Sequence, residues 1–333
     1  MPDQTVIRVG TRGSRLARVQ TGWVVRRLEA LGARVVTVPI LTRGDEGNPQ
    51  PPRLGSDGVF VRELESALRE SRIDAAVHSL KDLPTADSAG LSLACIPPRA
   101  LPWDVFVGRT ARTLAALPAG SVVGTSSIRR VAQVRLVRPD LRILPVRGNV
   151  DTRLRLLDEG RYDALILAGA GLERLGLAAR IDEVLTPGPV AIDSASSPAG
   201  EAATGFWPAI AQGALAVQIR TDDAALASFM APLDDPLSRR AVTAERACLA
   251  ALAGGCLAPI GAVARARADG GLSLTACVLE ERDSAVSRIV ETGFAPPAMG
   301  GAPLGLRIAE RLRDRGADGM LARMRQRWEQ SGQ

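Results

Sequence analysis

Residues 73–84 read Ile73-Asp74-Ala75-Ala76-Val77-His78-Ser79-Leu80-Lys81-Asp82-Leu83-Pro84, and the placement of this stretch decides the fold. Ile73 to Val77 has the composition of a short buried strand. Leu83-Pro84 turns the chain away, because proline lacks the N–H that would continue a helix or a ladder. Between them stand His78 and Lys81, the only histidine and the only lysine of 333 residues, with Asp82 beside them. A carboxylate next to a cation at the end of a buried strand is where α/β proteins place chemistry. The plainer reading is a strand-end turn whose charges are solvated.

The length is enough for two or three domains, and 46% apolar residues supply well-buried cores. MPDQTVIRVG runs straight into a strand, with no basic region and apolar stretch before it, so no signal peptide is expected. No segment approaches the roughly 18 apolar residues of a membrane span. Cysteines 95, 248, 256 and 277 have no CxxC spacing, and with one histidine no metal site is expected. Thiols without a disulfide framework point to a reducing cytoplasm. The net charge is +6, carried almost wholly by arginine. Genomic GC content could produce that bias, but arginine's planar fork also suits carboxylates and phosphates. Aromatic residues are 3%, too few for a stacking platform on single-stranded nucleic acid.

The chain opens with a strand, Val6 to Gly10, and the turn Thr11-Arg12-Gly13-Ser14. A helix with Leu16, Val24, Leu28 and Leu31 on its apolar positions follows, stopped by Gly32. A strand from Val35 to Leu41 ends in Thr42-Arg43-Gly44-Asp45. A polar loop (46–57) leads to a helix carrying Phe60, Leu64 and Leu68, and then to the strand before His78. The same order returns a hundred residues later. It runs through a strand at 121–124, Thr125-Ser126-Ser127, a helix from Ile128, a strand at 141–146, Arg147-Gly148-Asn149, a helix at 151–159 and a strand at 165–167. Val-Gly-Thr at 9–11 and 123–125, Arg-Gly-Asp/Asn at 43–45 and 147–149, and Arg-x-Asp-Ala at 72–75 and 161–164 match in order. Shared βαβ grammar could produce each match alone. Three in sequence favour two similar α/β lobes with a cleft between them, of the periplasmic-binding-protein-like kind.

The repeated turns carry chemistry. A strand, a Gly/Ser/Thr turn and a helix start leave N–H groups pointing outward, a ready anion site. Arg12 and Ser14 lie at the first. Thr125 to Ser127 lie at the second, with Arg129 and Arg130 on the first helical turn, against the helix dipole. That small cost is easier to understand if an anion binds there; the alternative is a pair of solvated surface arginines.

Residues 186–205 are rich in Pro, Gly, Ala and Ser and read as a loop. The strand Leu215 to Ile219 is expected to cross back to the first lobe. From about residue 222 the pattern is α+β, with a helix at 238–253, strands near 261–267, 272–280 and 286–292, and helices near 303–315 and 318–328. The expected division is 1–99 with 206–221, then 100–205, then 222–333. Cys256 follows two glycines after a helix, a loop setting equally suited to covalent chemistry and to packing. The other cysteines read as small buried hydrophobes.

The runs TRGS, TRGD, GVFVRELE, DAAVHSLKDLP, VGTSSIRR, RGNVDTRL, AGAGLERLGL, AQGAL and TAERACLAALAGGCLAPIG resemble the hydroxymethylbilane synthase (porphobilinogen deaminase) family from end to end. The resemblance implies a transferase of tetrapyrrole biosynthesis that joins four porphobilinogen units head to tail, releasing ammonia each time. It implies a dipyrromethane cofactor held by a thioether to the cysteine of the GGC loop, here Cys256, and a catalytic aspartate in the HSxKD motif, here Asp82. Lys81, Ser127, Arg129, Arg130, Arg147, Gly148 and Arg153 are then expected around the cofactor. Arg12, Ser14, Gln20, Phe60, Thr125 and Arg174 are expected around the substrate. Each pyrrole brings an acetate and a propionate, for which arginines are the counter-charges. The resemblance further implies a cytoplasmic enzyme, expected to be a monomer, with no metal, nucleic acid or membrane among its partners.

Three departures stand out: Asp57 where the family often has lysine, extra residues at about 187–204, and Ala211 where a glycine precedes Gln212-Gly213. Two rival readings remain. A non-catalytic two-lobed anion-binding protein needs neither Cys256 nor a third domain. An arginine-rich nucleic-acid binder would show strongly salt-dependent affinity.

Overall fold

The structure is a computed structural model that describes residues 6–41, 61–187, 205–252, 258–282 and 285–331. The first lobe is built on β1 (Val6–Thr11), α1 (Arg15–Ala30), β2 (Arg34–Pro39), α2 (Arg62–Arg69), β3 (Ala75–Ser79) and β4 (Leu91–Cys95). Ser14 starts α1 by accepting the Ala17 N–H at 3.3 Å, which satisfies one of the otherwise unpaired first-turn donors. The helix then buries Val24 and Leu28 against Ile7, Val9 and Val77. β3 lies two residues later than the expected Ile73–Val77, so His78 lies inside the strand and a 3₁₀ turn, Leu80–Asp82, follows at once.

The second lobe contains β5 (Asp104–Gly108), β6 (Val122–Gly124), α3 (Ile128–Val137), β7 (Arg142–Leu144), α4 (Val150–Asp158), β8 (Ala164–Ala168), α5 (Gly169–Arg174) and β9 (Glu183–Leu185). The chain then returns as β10 (Leu215–Arg220). Strand order is β2-β1-β3-β10-β4 in one sheet and β7-β6-β8-β5-β9 in the other. In each sheet the first three strands are parallel, and the fourth runs antiparallel to both neighbours. The internal echo is therefore a repeat of topology, and each lobe takes its antiparallel strand from a crossover. β10 crosses back into the first sheet, with Val217 opposite Val77.

α6 (Ala224–Met230) also belongs to the first lobe's core, through Leu226 and Met230. The expected start of the third unit at residue 222 precedes this helix. The third unit comprises α7 (Pro236–Ala251), the antiparallel sheet β11 (Ile260–Ala266), β12 (Leu272–Arg282) and β13 (Ala285–Ala295), then α8 (Gly301–Asp314) and α9 (Ala317–Ser331). Asp235 caps α7 by accepting from Ser238 N at 2.8 Å, and Pro236 supplies a first-turn residue that has no N–H to satisfy. α8 lies almost on α7's backbone: a Cβ on Gly305 would stand 2.2 Å from the Ala244 carbonyl. Only glycine permits that approach.

The third unit's core is continuous with the Asp82 turn. Leu80 and Leu83, fully or nearly buried, share one apolar cluster with Val242, Cys248, Leu249 and Leu304. Arg246 of α7 donates to the Leu83 carbonyl at 3.0 Å and the Pro84 carbonyl at 2.6 Å. The turn that sequence alone places on a strand end is thus held by an element some 160 residues away in the chain.

Candidate active site

Each half of the site grows from the C-terminal ends of parallel strands, where turns precede helices. In the first lobe Ser14 is occupied as the α1 cap, and Arg12 is partly buried beside it. Gln20 is buried on α1 and accepts from Ser79 Oγ at 3.1 Å, which ties α1 to the end of β3. Asp82 is half-buried, and its carboxylate makes no side-chain hydrogen bond or ion pair among the described residues. Lys81 is half-buried too. Burial lowers its pKa to about 8, with Arg130 and Arg129 acting in the same direction and Asp82 and Asp104 opposing.

In the second lobe Thr125 is buried, and its Oγ1 accepts from Ser127 N at 3.3 Å. Ser127 stands at the cap position of α3, yet its hydroxyl makes no capping bond there. Arg147 is exposed. Gly148 has φ +95°, and its carbonyl accepts from Arg153 Nε at 2.8 Å. Burial, then the charge of Arg130, lowers the pKa of Arg153. Arg174 sits at the end of α5 with its pKa lowered to about 10, chiefly by burial, and donates to the Gly213 carbonyl at 2.7 Å.

Arg129 and Arg130 are neither solvated nor simply exposed to a ligand. They are 4% and 7% accessible, and both turn inward onto Asp104. Arg129 Nη1 reaches Asp104 Oδ2 at 2.7 Å and also donates to the Trp207 carbonyl. Arg130 reaches Asp104 Oδ1 through Nε at 3.0 Å and Nη2 at 2.7 Å. Burial alone would raise the Asp104 pKa. The two guanidinium charges and their hydrogen bonds overcome it and hold the carboxyl well below the usual range. The surface-arginine alternative is removed by this burial.

The two halves meet. Lys81 of the first lobe and Arg130 of the second share the amide of Gln212, at 3.4 and 3.5 Å. Arg15 Nη1 and Asp151 Oδ1 pair across the lobes at 2.7 Å, at exposed positions. Sequence reasoning missed Asp104, Arg99, Glu245 and the side-chain role of Gln212. One signal was present: an aspartate opening the apolar run Asp104-Val105-Phe106-Val107 is a buried charge that must find partners. Phe60, Asp57, Cys256 and residues 188–204 lie outside the described residues.

The profile of "Porphobilinogen deaminase, dipyromethane cofactor binding domain" matches residues 7–228, and "Porphobilinogen deaminase, C-terminal domain" matches residues 239–314. The chain belongs to the porphobilinogen deaminase family. It is 44% identical to the porphobilinogen deaminase of Roseiflexus sp. (strain RS-1) over 322 residues, 96% of this chain and 99% of that protein. It is likewise 44% identical to the porphobilinogen deaminase of Thermus thermophilus, again over 96% of this chain and 99% of that protein. Among solved structures, a nutrient binding protein from Burkholderia cenocepacia bound to methionine is 14% identical, with a TM-score of 0.40, over 70% of this chain and 93% of that one. The methionine binding protein MetQ is 16% identical, with a TM-score of 0.40, over 69% and 90%. The two-lobed architecture itself rests on the matched strand orders above. The chain is accordingly a transferase of the porphobilinogen deaminase family, and it carries that family's dipyrromethane-binding domain.

The residues fit a polyanionic cofactor of that kind. Lys81, Arg129, Arg130 and Arg153 act on one another electrostatically, with Asp82 and Asp104 as the carboxylates opposing them at Lys81. Burial, and then the charge of Arg130, lowers the pKa of Arg153, and Arg130 and Arg129 add to the effect of burial on Lys81, so positive charge is crowded here. Such a cluster favours carboxylates over neutral ligands.

Proposed function

We propose that this protein condenses four porphobilinogen molecules into linear hydroxymethylbilane, with Asp82 as the catalytic group and Cys256 as the point of cofactor attachment. The observation that carries the reading is the Asp82 carboxylate. It is half-buried on a turn locked by Leu80, Leu83 and Arg246, without a side-chain partner of its own among the described residues, and the neighbouring Lys81 is coupled to Arg129 and Arg130 of the second lobe.

Lys81, Ser127, Arg129, Arg130, Arg147, Gly148 and Arg153 hold the acetate and propionate groups of the cofactor. Arg12, Ser14, Gln20, Phe60, Thr125 and Arg174 line the substrate's place. Bidentate, permanently charged forks fix each ring's orientation before reaction, which converts binding energy into positioning. When bound, the dipyrromethane supplies a free pyrrole α-carbon as the nucleophile. In the substrate the C–N bond of the protonated aminomethyl group (–CH2–NH3+) breaks, and ammonia leaves with the bonding pair. Asp82 faces the resulting azafulvenium cation and stabilises it electrostatically. After the new C–C bond forms, the attacking α-carbon loses its proton, and an Asp82 oxygen would accept it and pass it to solvent.

Attachment at Cys256 is supported by the state of the other thiols. Cys95, Cys248 and Cys277 are buried and free, and burial pushes each pKa up to about 12, which leaves negligible nucleophilic thiolate. Those unpaired thiols also support a cytoplasmic setting. We further propose a monomer without nucleic-acid partners. In support, many arginines away from the site are already paired, as in Arg323 and Arg327 on Glu280 and Arg311 and Arg315 on Glu291. Among the described residues no helix is long and apolar enough to cross a membrane. The proposed division assigns α6 to the first lobe and begins the third unit at α7.

The deciding experiment incubates purified protein with porphobilinogen. Ammonia release, together with an intact mass raised by a covalent dipyrrole, is expected. An unmodified mass and no ammonia would leave a non-catalytic anion-binding protein.

A further inference from the structure

Gln212 sits on the second crossover, 1% exposed. Its Nε2 lies 2.8 Å from the Pro102 carbonyl and 3.0 Å from Asp104 Oδ1. Both partners only accept: a carbonyl has no proton, and Asp104 stays ionised between two arginines. Partner chemistry therefore fixes which end of the amide is which. The oxygen faces the other way, 3.4 Å from Lys81 Nζ and 3.5 Å from Arg130 Nη2.

Lys81 is thereby drawn toward the second lobe. Asp82, the next residue, carries the opposite charge, yet the two side chains form no ion pair. The charged groups that act on Lys81 are Asp82, Arg130, Asp104 and Arg129. Asp104 is already committed to Arg129 and Arg130, so among the protein's own carboxylates that act on Lys81 the one left to the ammonium, were Gln212 removed, is Asp82.

We propose that Gln212 is a positioning residue that diverts the Lys81 ammonium from Asp82, leaving that carboxylate open to the cation formed from the substrate. The proposal rests on the role of Asp82 given above. It assigns a function to the crossover between the lobes: an amide anchored by Asp104 in one lobe holds apart two adjacent opposite charges in the other. A direct Lys81–Asp82 pair would shield the carboxylate in the ground state and oppose its use in the transition state.

The single lysine makes the test direct. Protein labelled with ¹³C at the lysine ε carbon gives one resonance, whose titration reports Lys81 alone. Loss of an acceptor by itself lowers an ammonium's pKa, whereas capture by a carboxylate raises it. In Gln212→Met the midpoint is expected to rise by about one unit. Gln212→Asn shortens the side chain so that it cannot serve both Asp104 and Lys81, and is expected to shift the midpoint upward too, should the methionine variant fail to fold. The second arm is a double-mutant cycle on single-turnover ammonia release. Gln212→Met should slow release at least about tenfold in the native background and by less than about twofold in Lys81→Met. A midpoint that falls or stays in place, or equal losses in both backgrounds, overturns the proposal and leaves Gln212 serving the Asp104 cluster only. Absence of ammonia release by the unsubstituted protein would instead refute the proposed activity, and the Lys81 titration would still decide the role of Gln212.

Discussion

Glu245 on α7 accepts both arms of the Arg99 guanidinium, at 2.6 and 3.1 Å, and its side chain is wholly buried. The same carboxylate accepts the backbone N–H of Ala211 at 2.7 Å and of Ala264 at 2.8 Å. One charge thus ties the outgoing crossover, the returning crossover and the third unit's sheet together. Next to it in sequence, Arg246 clamps the turn after Asp82. Taking one member from a buried pair strands the other without compensation. Glu245→Leu is therefore expected to cost roughly 3–5 kcal/mol in denaturant unfolding. A loss below about 1 kcal/mol would show that the crossovers do not depend on this pair.

Asp82→Asn keeps the size of the side chain and removes its charge. Single-turnover ammonia release from cofactor-bearing protein is expected to fall at least about a hundredfold, on the order of 3 kcal/mol. Asp82→Glu keeps the charge one methylene out of place and should retain partial activity. An asparagine variant within a few-fold of the native rate would return this turn to an ordinary strand end.

Cys256→Ala should lose the covalent adduct and the activity while remaining folded, because the three buried thiols have little thiolate to offer. Intact mass and peptide mapping read the outcome. An adduct found on Cys248 or Cys95 would contradict both the attachment site and the inertness of those thiols.

His78 is buried, its Nε2 has no hydrogen-bond partner among the described residues, and burial lowers its pKa to about 4. Glu65 and Gln218 oppose that shift, and Arg12 adds to it. In the unfolded chain the imidazole protonates near pH 6.5. The unfolded state therefore binds the extra proton between pH 6.5 and 4, and stability from this group is full above 6.5 and drains away as pH falls toward 4. The loss should approach about 3 kcal/mol. His78→Gln removes the only histidine and should flatten the stability profile across that window. An unchanged slope would place His78 in solvent contact.

Ala211 adopts φ +57°, in the left-handed region that favours glycine. The strain of about 1 kcal/mol is partly offset by the smaller entropy of the unfolded alanine chain. Ala211→Gly is therefore expected to be neutral or to stabilise by up to about 1 kcal/mol. Gly213→Ala should do the opposite. Gly213 has φ +87°, and an added Cβ would stand 2.5 Å from the Ala100 carbonyl. Equal effects of the two changes in thermal unfolding would contradict this account.

The chain's own order determined the strand-turn-helix units, the repeated lobe and the α+β third unit, because these depend on local periodicity, caps and turn residues. It also marked Asp82, since a lone lysine and histidine beside an aspartate at a strand end is visible without coordinates. The position of β3's end and the partners of buried charges were not visible. β3 continues through His78 because Ala216 and Leu215 pair with His78 and Ser79 from a distant part of the chain. Arg129 and Arg130 read as an anion site at a helix start, with solvated arginines as the alternative, yet β5 delivers Asp104 beneath them through a crossover. Gln212 lay in view within Ala211-Gln212-Gly213-Ala214-Leu215 but had no assignable role until both lobes were in place. A buried carboxylate or amide is defined by what chain folding brings within about 3 Å of it, and that proximity is a property of tertiary structure alone.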